Sequence, residues 1–514
     1  MKAKATLIYL LLPLLLISDN RGIDTSTFVG ECTIGIFMGQ ATSDGRPILW
    51  KNRDVTNAVQ KFCYYSPMIY GDDTTLAFTA NAYSNDTTRV YMGLNAAGFA
   101  IMNANTYNLN DYLSDGIDDG AIMRMALQSC RTLEDFERVL DITSMLGRKD
   151  CWNFGAIDGA GQGAIYECAN HSYTRFDAID SLMEGGSYIL RATFSFSGGD
   201  SLDGFSRYKR ATHLVRQRLR VQPVDVQFVL QTLSRDLANP FDDPYPLPYD
   251  GSQNGRPAGF ILARNVTINR DISRSVVVIQ GVAPGEDPAL ATIFGIIGPP
   301  VLSVAYPLWV RAECVPPALH DGTEVPMYGQ VMRRHSLLYS LTGDDDYLDS
   351  RYLMGKNGVG LFTYTMPLET STLNSAENYV SIWRQEIPNR EVFANVQNTL
   401  AESIFANYQS IPLYFNQSMA SEQSDGITVA NYPNPFNVTT TIFLSGIGAG
   451  EPVNLSIYNM LGQRVREFES VGGQGNYVVW DGCSSDGTGL ASGVYFANAV
   501  SGSRSSTSKM ILMK

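Results

Sequence analysis

Glu31-Cys32-Thr33-Ile34-Gly35-Ile36-Phe37-Met38-Gly39-Gln40-Ala41-Thr42-Ser43-Asp44-Gly45-Arg46-Pro47-Ile48-Leu49-Trp50-Lys51-Asn52-Arg53-Asp54 is the stretch on which the reading of this chain turns. An apolar run from Ile34, an Asp44-Gly45 turn and a second apolar run from Ile48 predict a β-hairpin whose first residue is the cysteine. Cleavage of the bond before Cys32 would give it both a thiol and an α-amine. The ordinary pKa values of these groups, near ~8.5 and ~8, lie within reach of neutral pH. One residue can then supply nucleophile and general base together. An isolated cysteine is more often a buried strand residue, but the residues around this one point the other way.

That surrounding pattern resembles the N-terminal-nucleophile hydrolases of the choloylglycine hydrolase and acyl-coenzyme A:6-aminopenicillanate acyltransferase group. Members begin their mature chain with Cys-Thr or a close variant, followed by a hairpin and an Arg/Asn/Asp cluster. Here the cluster is Lys51-Asn52-Arg53-Asp54, and Asp54 stands 22 positions after Cys32. The resemblance implies that Asp54 holds the amine and thiol of the nucleophile. The family often has arginine where Lys51 stands, which leaves the local cation open between Lys51 and Arg53. It also implies self-cleavage at Glu31-Cys32, the thiol attacking its own preceding carbonyl.

The 514 residues suffice for two or more domains with ample core. A net charge of −13, with the acidic residues dispersed, argues against nucleic acid or an anionic membrane as the main partner. Lys2 and Lys4 precede the apolar run Leu7 to Ile17, as in a signal peptide, and the run is too short to span a bilayer stably. Residues 1–22 are therefore expected to be a leader and 23–31 a short pro-segment. Export permits disulfides; setting Cys32 aside leaves six cysteines whose pairing the sequence does not choose. His171, His213, His320 and His335 form no HxxxH or HExxH pattern, and Asp242-Asp243 and Asp344-Asp345-Asp346 lack the spacing of a calcium loop. No metal and no cofactor is expected.

Strand patterns cover 32–67, 89–105, 152–168 and 273–282, and helical patterns cover 119–146, 207–220, 224–237 and 389–408. Such alternation suits a layered α/β sandwich, and the resemblance implies its four-layer αββα form over 32–415. A small polar stretch around 416–430 reads as a linker. Beyond it, 431–514 carries short strands with turn residues, as in a small all-β, immunoglobulin-like sandwich. Asn431-Tyr432-Pro433-Asn434-Pro435-Phe436-Asn437, Ile457-Tyr458-Asn459-Met460-Leu461-Gly462-Gln463, Trp480-Asp481-Gly482, Leu490-Ala491-Ser492-Gly493-Val494-Tyr495 and Lys509-Met510-Ile511-Leu512 follow in order. Together they resemble the C-terminal sorting domain of the type IX secretion system. That implies export through the periplasm to the cell surface or beyond, with the outer-membrane secretion machinery as partner.

Acyl transfer needs hydrogen-bond donors at the developing oxyanion. The segment Gly93 to Asn105 resembles the family's G-x-N-x-x-G stretch and the strand after it, which ends in an asparagine donor. Asn105 matches that donor, and Asn103, two residues earlier on the same strand face, stays a candidate. Asn153 in Trp152-Asn153-Phe154 matches an asparagine that reaches the active site in the acyltransferase branch. Arg207 in Ser206-Arg207-Tyr208-Lys209-Arg210-Ala211 matches an arginine near the nucleophile in the bile-salt branch. The catalytic candidates are thus Cys32, Asp54, Asn105, Asn153 and Arg207, with Asn103 and Arg53 as candidate substrate contacts. The implied activity is hydrolysis or transfer at a non-peptidic or side-chain amide of a small molecule, such as an N-acyl amino acid, a bile-acid conjugate or a β-lactam-related amide. A related dipeptidase and a catalytically inactive surface-binding protein remain as alternatives, and the oligomeric state is open. We expect N-terminal sequencing or intact mass of the secreted protein to place its first residue at Cys32. A stable, fully active species beginning near Ile23 would contradict this.

Overall fold

The computed structural model describes residues 31–56, 59–109, 113, 115–179, 187–200, 203–238, 247–249, 259–262, 267–340, 347–415, 427–432, 436, 439–445, 451–468 and 477–512. The expected leader, all of the expected pro-segment except Glu31, and most of the expected linker lie outside these residues. Two compact units are present. The first draws on 31–243, 262–346 and 368–410, the second on 244–261, 347–367 and 411–514.

Strands β1 (Thr33–Phe37) and β2 (Ile48–Asp54) form the hairpin read from the sequence. Its turn needs a left-handed residue, and Gly45 supplies it with φ 75°. The Asp44 carboxylate accepts from the Arg46 amide at 3.1 Å. The chain continues through β3 (Gln60–Tyr65), β4 (Ile69–Tyr70), β5 (Asp73–Thr74), β6 (Phe78–Tyr83), β7 (Met92–Asn95) and β8 (Ala100–Asn105). Next come β9 (Trp152–Ile157), β10 (Gly163–Cys168), β11 (Tyr173–Asp177) and β12 (Tyr188–Arg191), then β13 (Phe260–Leu262), β14 (Ser273–Gln280), β15 (Thr292–Ile297), β16 (Tyr306–Leu308) and β17 (Tyr347–Asp349).

Two antiparallel sheets organise the first unit: one of six strands in the order β12-β1-β2-β14-β15-β16 and one of seven in the order β11-β10-β9-β8-β7-β6-β3. They face each other closely. Gly155 on β9 lies under Leu49, Ile34 and Ile36 of the first sheet, and a Cβ on Gly295 of β15 would stand 2.4 Å from the Phe62 ring of β3. Glycine at these positions lets two β-rich layers approach where a side chain would hold them apart.

Helices α1 (Asp119–Ser129) and α2 (Leu133–Leu146) cover the seven-stranded sheet. Asp118 caps the first by accepting from the Gly120 amide, and Thr132 caps the second by accepting from Asp135. Phe136 of α2 inserts its ring among Phe99, Phe154 and Tyr166 of the sheet, at 5.3–6.0 Å between centroids. Helix α3 (Phe205–Leu219) lies by β12, its Arg216 reaching the Tyr188 hydroxyl. The expected helix over 224–237 is instead a single turn, Val226–Phe228, running into a π-helix, Val229–Leu233. Two long helices escape the periodicity reading: α4 (Pro326–Ser340) and α5 (Phe362–Trp383), the latter with Pro367 inside its first turns. Helix α6 (Arg390–Ser410) follows, and its Gln397 accepts from the Trp309 amide just beyond β16. The first unit is thus an α/β fold of helical and sheet layers.

The second unit contains the β13–β17 pair and a separate antiparallel β-structure. The latter consists of β18 (Thr428–Tyr432), β19 (Thr440–Ser445), β20 (Asn454–Asn459), β21 (Arg464–Phe468), β22 (Tyr477–Trp480), β23 (Gly493–Ser501) and β24 (Arg504–Leu512). The strand orders are β18-β19-β22 and β21-β20-β23-β24, and Trp480, Phe436, Ile442, Leu455 and Met510 meet in their common core. Strand β18 starts within the stretch expected as linker, and Ile427 already belongs to that core. The sequence reading missed this because Ile427 to Tyr432 is short and follows a polar run. In the first unit we expect Gly295→Ala to lower stability by about 1–3 kcal/mol, the usual cost of overpacking, read as a lowered urea midpoint. An unchanged midpoint would mean that Phe62 moves aside freely.

Candidate active site at Cys32

Cys32 immediately precedes β1 and is 3 % exposed. Its neighbours follow from antiparallel register. Thr33 pairs with Asn52 and Ile34 with Lys51, and the Glu31 amide donates to the Asp54 carbonyl at 3.2 Å. Because side chains alternate across a strand and cross-strand partners share a face, Cys32 falls with Lys51 and Arg53. Glu31 falls with Asp54 on the opposite face. The site is therefore split by the pleat into a thiol side and a backbone-nitrogen side.

On the thiol side, Lys51 is the cation bonded to Cys32. Its Nζ also donates to the Tyr91 carbonyl at 3.1 Å and to Asn103 Oδ1 at 2.5 Å. Asn103 Nδ2 passes the chain on to Asp119 Oδ2 at 2.5 Å, at the start of α1. Burial lowers the pKa of the Lys51 ammonium, while the Cys32 sulfur opposes that shift. Burial, with Asp118 close by, pushes the Asp119 carboxyl up. The Lys51 ammonium thus meets the Cys32 sulfur away from water, where the attraction between charged groups is little screened. Arg53 is placed differently. Its guanidinium lies 3.7 Å over the Tyr91 ring and 5.0 Å from that of Tyr83, and its Nε donates to Gln60.

On the other side, Asp54 accepts from the Ser273 hydroxyl at 2.6 Å through Oδ1, while Oδ2 accepts no hydrogen bond and has the Arg270 guanidinium at 3.6 Å. Burial raises the Asp54 carboxyl to about 6 against the pull of Arg270, Arg207 and Ser273. Arg207, from the first turns of α3, donates to Thr193 Oγ1 at 3.1 Å and lies 3.5 Å from Glu31 Oε2. Arg270 donates to the same Glu31 oxygen at 2.6 Å. Asp203 also faces these arginines.

Asn105 ends β8 half-buried, hydrogen-bonded to the Tyr107 hydroxyl, and Tyr107 feels both Cys32 and Glu31. Asn153 is fully buried. Its amide donates to the Ala192 and Phe194 carbonyls, and its oxygen accepts from Ser195. Its contacts thus run to the strand-end segment beside Thr193. The structure brings Cys32, Lys51, Asn103 and Asp119 into one chain of contacts and Asp54 and Arg207 into another. Sequence reading missed Arg270, Ser273, Asp119 and Glu31. The β-run opening at Ser273 was visible, but only its pairing with Asp54 in the β2–β14 register brings Ser273 to the site. Among the described residues no cysteine is joined in a disulfide, and no group of three or more His, Cys, Asp or Glu is placed to hold a metal.

Residues 41–191 match the family model of acyl-coenzyme A:6-aminopenicillanic acid acyl-transferase, and residues 430–513 match that of the secretion system C-terminal sorting domain. No protein of curated function matches the chain. Among solved structures, penicillin V acylase from Agrobacterium tumefaciens is 15% identical with a TM-score of 0.33, over 54% of this chain and 86% of its own. A conjugated bile acid hydrolase from Clostridium perfringens is 10% identical with a TM-score of 0.31, over 52% and 89%. PorZ, a surface component of the type IX secretion system of Porphyromonas gingivalis, is 27% identical with a TM-score of 0.15, over 19% of this chain and 13% of its own. The chain thus carries an acyltransferase-type domain, of a family acting on amide C–N bonds, and after it a secretion system sorting domain. The sorting domain makes it a secreted or cell-surface protein that passes through the periplasm.

Lys51→Met should slow alkylation of Cys32 by iodoacetamide at pH 7 by about ten-fold, and Arg53→Met by much less, because Lys51 bonds the sulfur whereas Arg53 is stacked on Tyr91 and Tyr83. Equal effects of the two would reassign the cation.

Proposed function

We propose, on the premise that residues 41–191 form an acyltransferase-type domain, that this protein is a secreted, self-processing cysteine amidohydrolase. The observation that carries it is the division of groups around Cys32: a buried ammonium on its sulfur and a buried carboxylate beside the strand that carries its nitrogen. In the precursor the Cys32 sulfur attacks the Glu31 carbonyl carbon, the C–N bond to Cys32 breaks, and the nitrogen takes the thiol proton. Water hydrolyses the thioester, leaving Cys32 with a free amine. The Asp54 oxygen that accepts no hydrogen bond gives that amine a partner, and Lys51 bonds the sulfur on the other side.

In turnover the sulfur attacks the carbonyl of a small-molecule amide, and the amine of Cys32 carries the proton to the leaving nitrogen. Water, or an acceptor amine, then resolves the thioester. Asn105 is the better oxyanion donor of the two candidates, since Asn103 is committed to Lys51 and Asp119. Asn153 positions the segment that carries Thr193, and Arg207 and Arg270 balance the charge of Asp54. Arg53 acts as a wall of the thiol side, fixed by its two tyrosines. We further assign the first unit to the four-layer αββα class, supported by its two facing sheets and the helices on them. The second we assign to an immunoglobulin-like sandwich, supported by its two small sheets around one core.

Cys32→Ser should reduce amide turnover to background and leave the precursor uncleaved, because a hydroxyl is a far weaker nucleophile than a thiolate. Cys63→Ser and Cys168→Ser should retain turnover. Burial raises both of these thiols, that of Cys168 to about 12, and so keeps them protonated. Intact mass and a panel of N-acyl amides, dipeptides and bile conjugates read both effects. Wild-type turnover by Cys32→Ser would overturn the assignment.

A further inference from the structure

Glu31 is the residue that self-cleavage would remove, yet its carboxylate is met by two buried arginines. One carboxylate oxygen takes a 2.6 Å hydrogen bond from Arg270 and lies 3.5 Å from Arg207. Both arginines are buried, at 3 % and 1 % side-chain exposure. Asp54 and Asp203 also face Arg207, and Asp54 and Asp271 also face Arg270. Loss of Glu31 takes away one negative charge, and the amine released on Cys32 adds positive charge when protonated. Two buried guanidinium groups are then left with less compensating charge than in the precursor, a state that costs free energy until an anion returns.

We infer that the mature site takes acyl groups carrying a carboxylate, which occupies the place vacated by the Glu31 side chain between Arg270 and Arg207. The inference rests on the self-processing reading above and names a substrate class for the same site. Chain length follows from Glu31 itself. Its scissile carbonyl carbon and its side-chain carboxylate are the first and fifth carbons of a five-carbon chain. The matching donor is therefore a glutaryl or α-glutamyl amide. The thioester formed from Glu31 during processing and the thioester formed from a glutaryl amide differ only in the pro-segment attached at the second carbon. Attack by the Cys32 sulfur forms the thioester and expels the amine, which takes the thiol proton by way of the Cys32 amine. Water then releases glutarate and restores the thiol. Charge-assisted hydrogen bonds to a planar guanidinium are the strong and geometrically selective kind, so discrimination against an uncharged chain of equal length should be large.

The test uses the full-length mature protein with glutaryl and pentanoyl p-nitroanilides, which share chain length and differ in charge. A kcat/KM at least about ten-fold higher for the glutaryl compound is expected, with the ratio falling toward one in Arg270→Gln. Equal or preferred hydrolysis of the pentanoyl compound overturns the inference while leaving the amidohydrolase reading intact. A second measurement needs neither turnover nor a folded Arg270 variant. Calorimetry should show glutarate binding to mature protein but not to the Cys32→Ala precursor, in which Glu31 still fills the position. Binding to both forms, or to neither, overturns the inference. If neither amide is hydrolysed but glutarate binds the mature form alone, the carboxylate site stands and the amidohydrolase reading fails.

Discussion

The antiparallel pairing of the Cys32 segment with β2 is the constraint on which the rest of the site depends. A strand sends successive side chains to opposite faces, so a single register decides which neighbours the sulfur has and which face the nitrogen of the bond before it. With Thr33 opposite Asn52, Lys51 and Arg53 share the sulfur's face, and Asp54 lies with Glu31. A slip of one residue would exchange these sets and bring a carboxylate to the sulfur. The register is pinned well away from the cysteine. Trp50 donates to Ser234 and Asn52, and Asn52 donates to the Ser234 and Ile268 carbonyls, so β2 is tied down through its outward face. Strand β14 on the far side of β2 supplies Ser273 for Asp54.

The buried charges follow from that division. Isolated, each would cost several kcal/mol to desolvate, and each is met by a partner of a different kind. Lys51 has a sulfur, a carbonyl and an amide oxygen. Arg53 has two aromatic faces, which suit a planar guanidinium and would serve an ammonium less well. This difference explains how two cations two residues apart on one strand face take separate tasks. The compact Lys51 head reaches the sulfur, while the broad Arg53 head stacks. On the nitrogen side the one hydrogen bond that the Asp54 carboxylate takes among the described residues comes from a neutral hydroxyl, and Arg270 lies closer to Glu31 than to Asp54. The carboxyl is raised by burial as a result. The balance of this group of charges therefore depends on a residue of the expected pro-segment.

The C-terminal unit carries a different kind of information. Its strands enclose a core of their own around Trp480, whose indole donates to the Cys483 carbonyl. The residues in the turn at Met460 and Leu461 are broadly exposed. Chemistry and address are thus written in separate stretches of sequence, and the sorting motifs could be read without any knowledge of the site.

The sequence by itself determined the hairpin that opens at Cys32, the strand pairs at Gly93 to Asn105 and Trp152 to Cys168, and the capped helix at Leu133–Leu146, because alternation, turn residues and capping are local properties of the chain. The sorting segment was legible for the same reason, its motifs being turns and short strands at fixed order. Asp54 and Arg207 were legible through resemblance, and the structure brings them together with Arg270 between them. The helices Pro326–Ser340 and Phe362–Trp383 were not: the second carries four threonines and an internal Pro367 that mask its periodicity, and the first interleaves polar and apolar residues without a clear stripe. Which cation serves the sulfur, that Asn103 is held between Lys51 and Asp119, and that Arg270, 238 positions from Cys32, holds the residue before it were decided only by tertiary structure. Sheet pairing between distant strands places these groups within hydrogen-bond reach, and no local pattern records a contact made across two hundred residues.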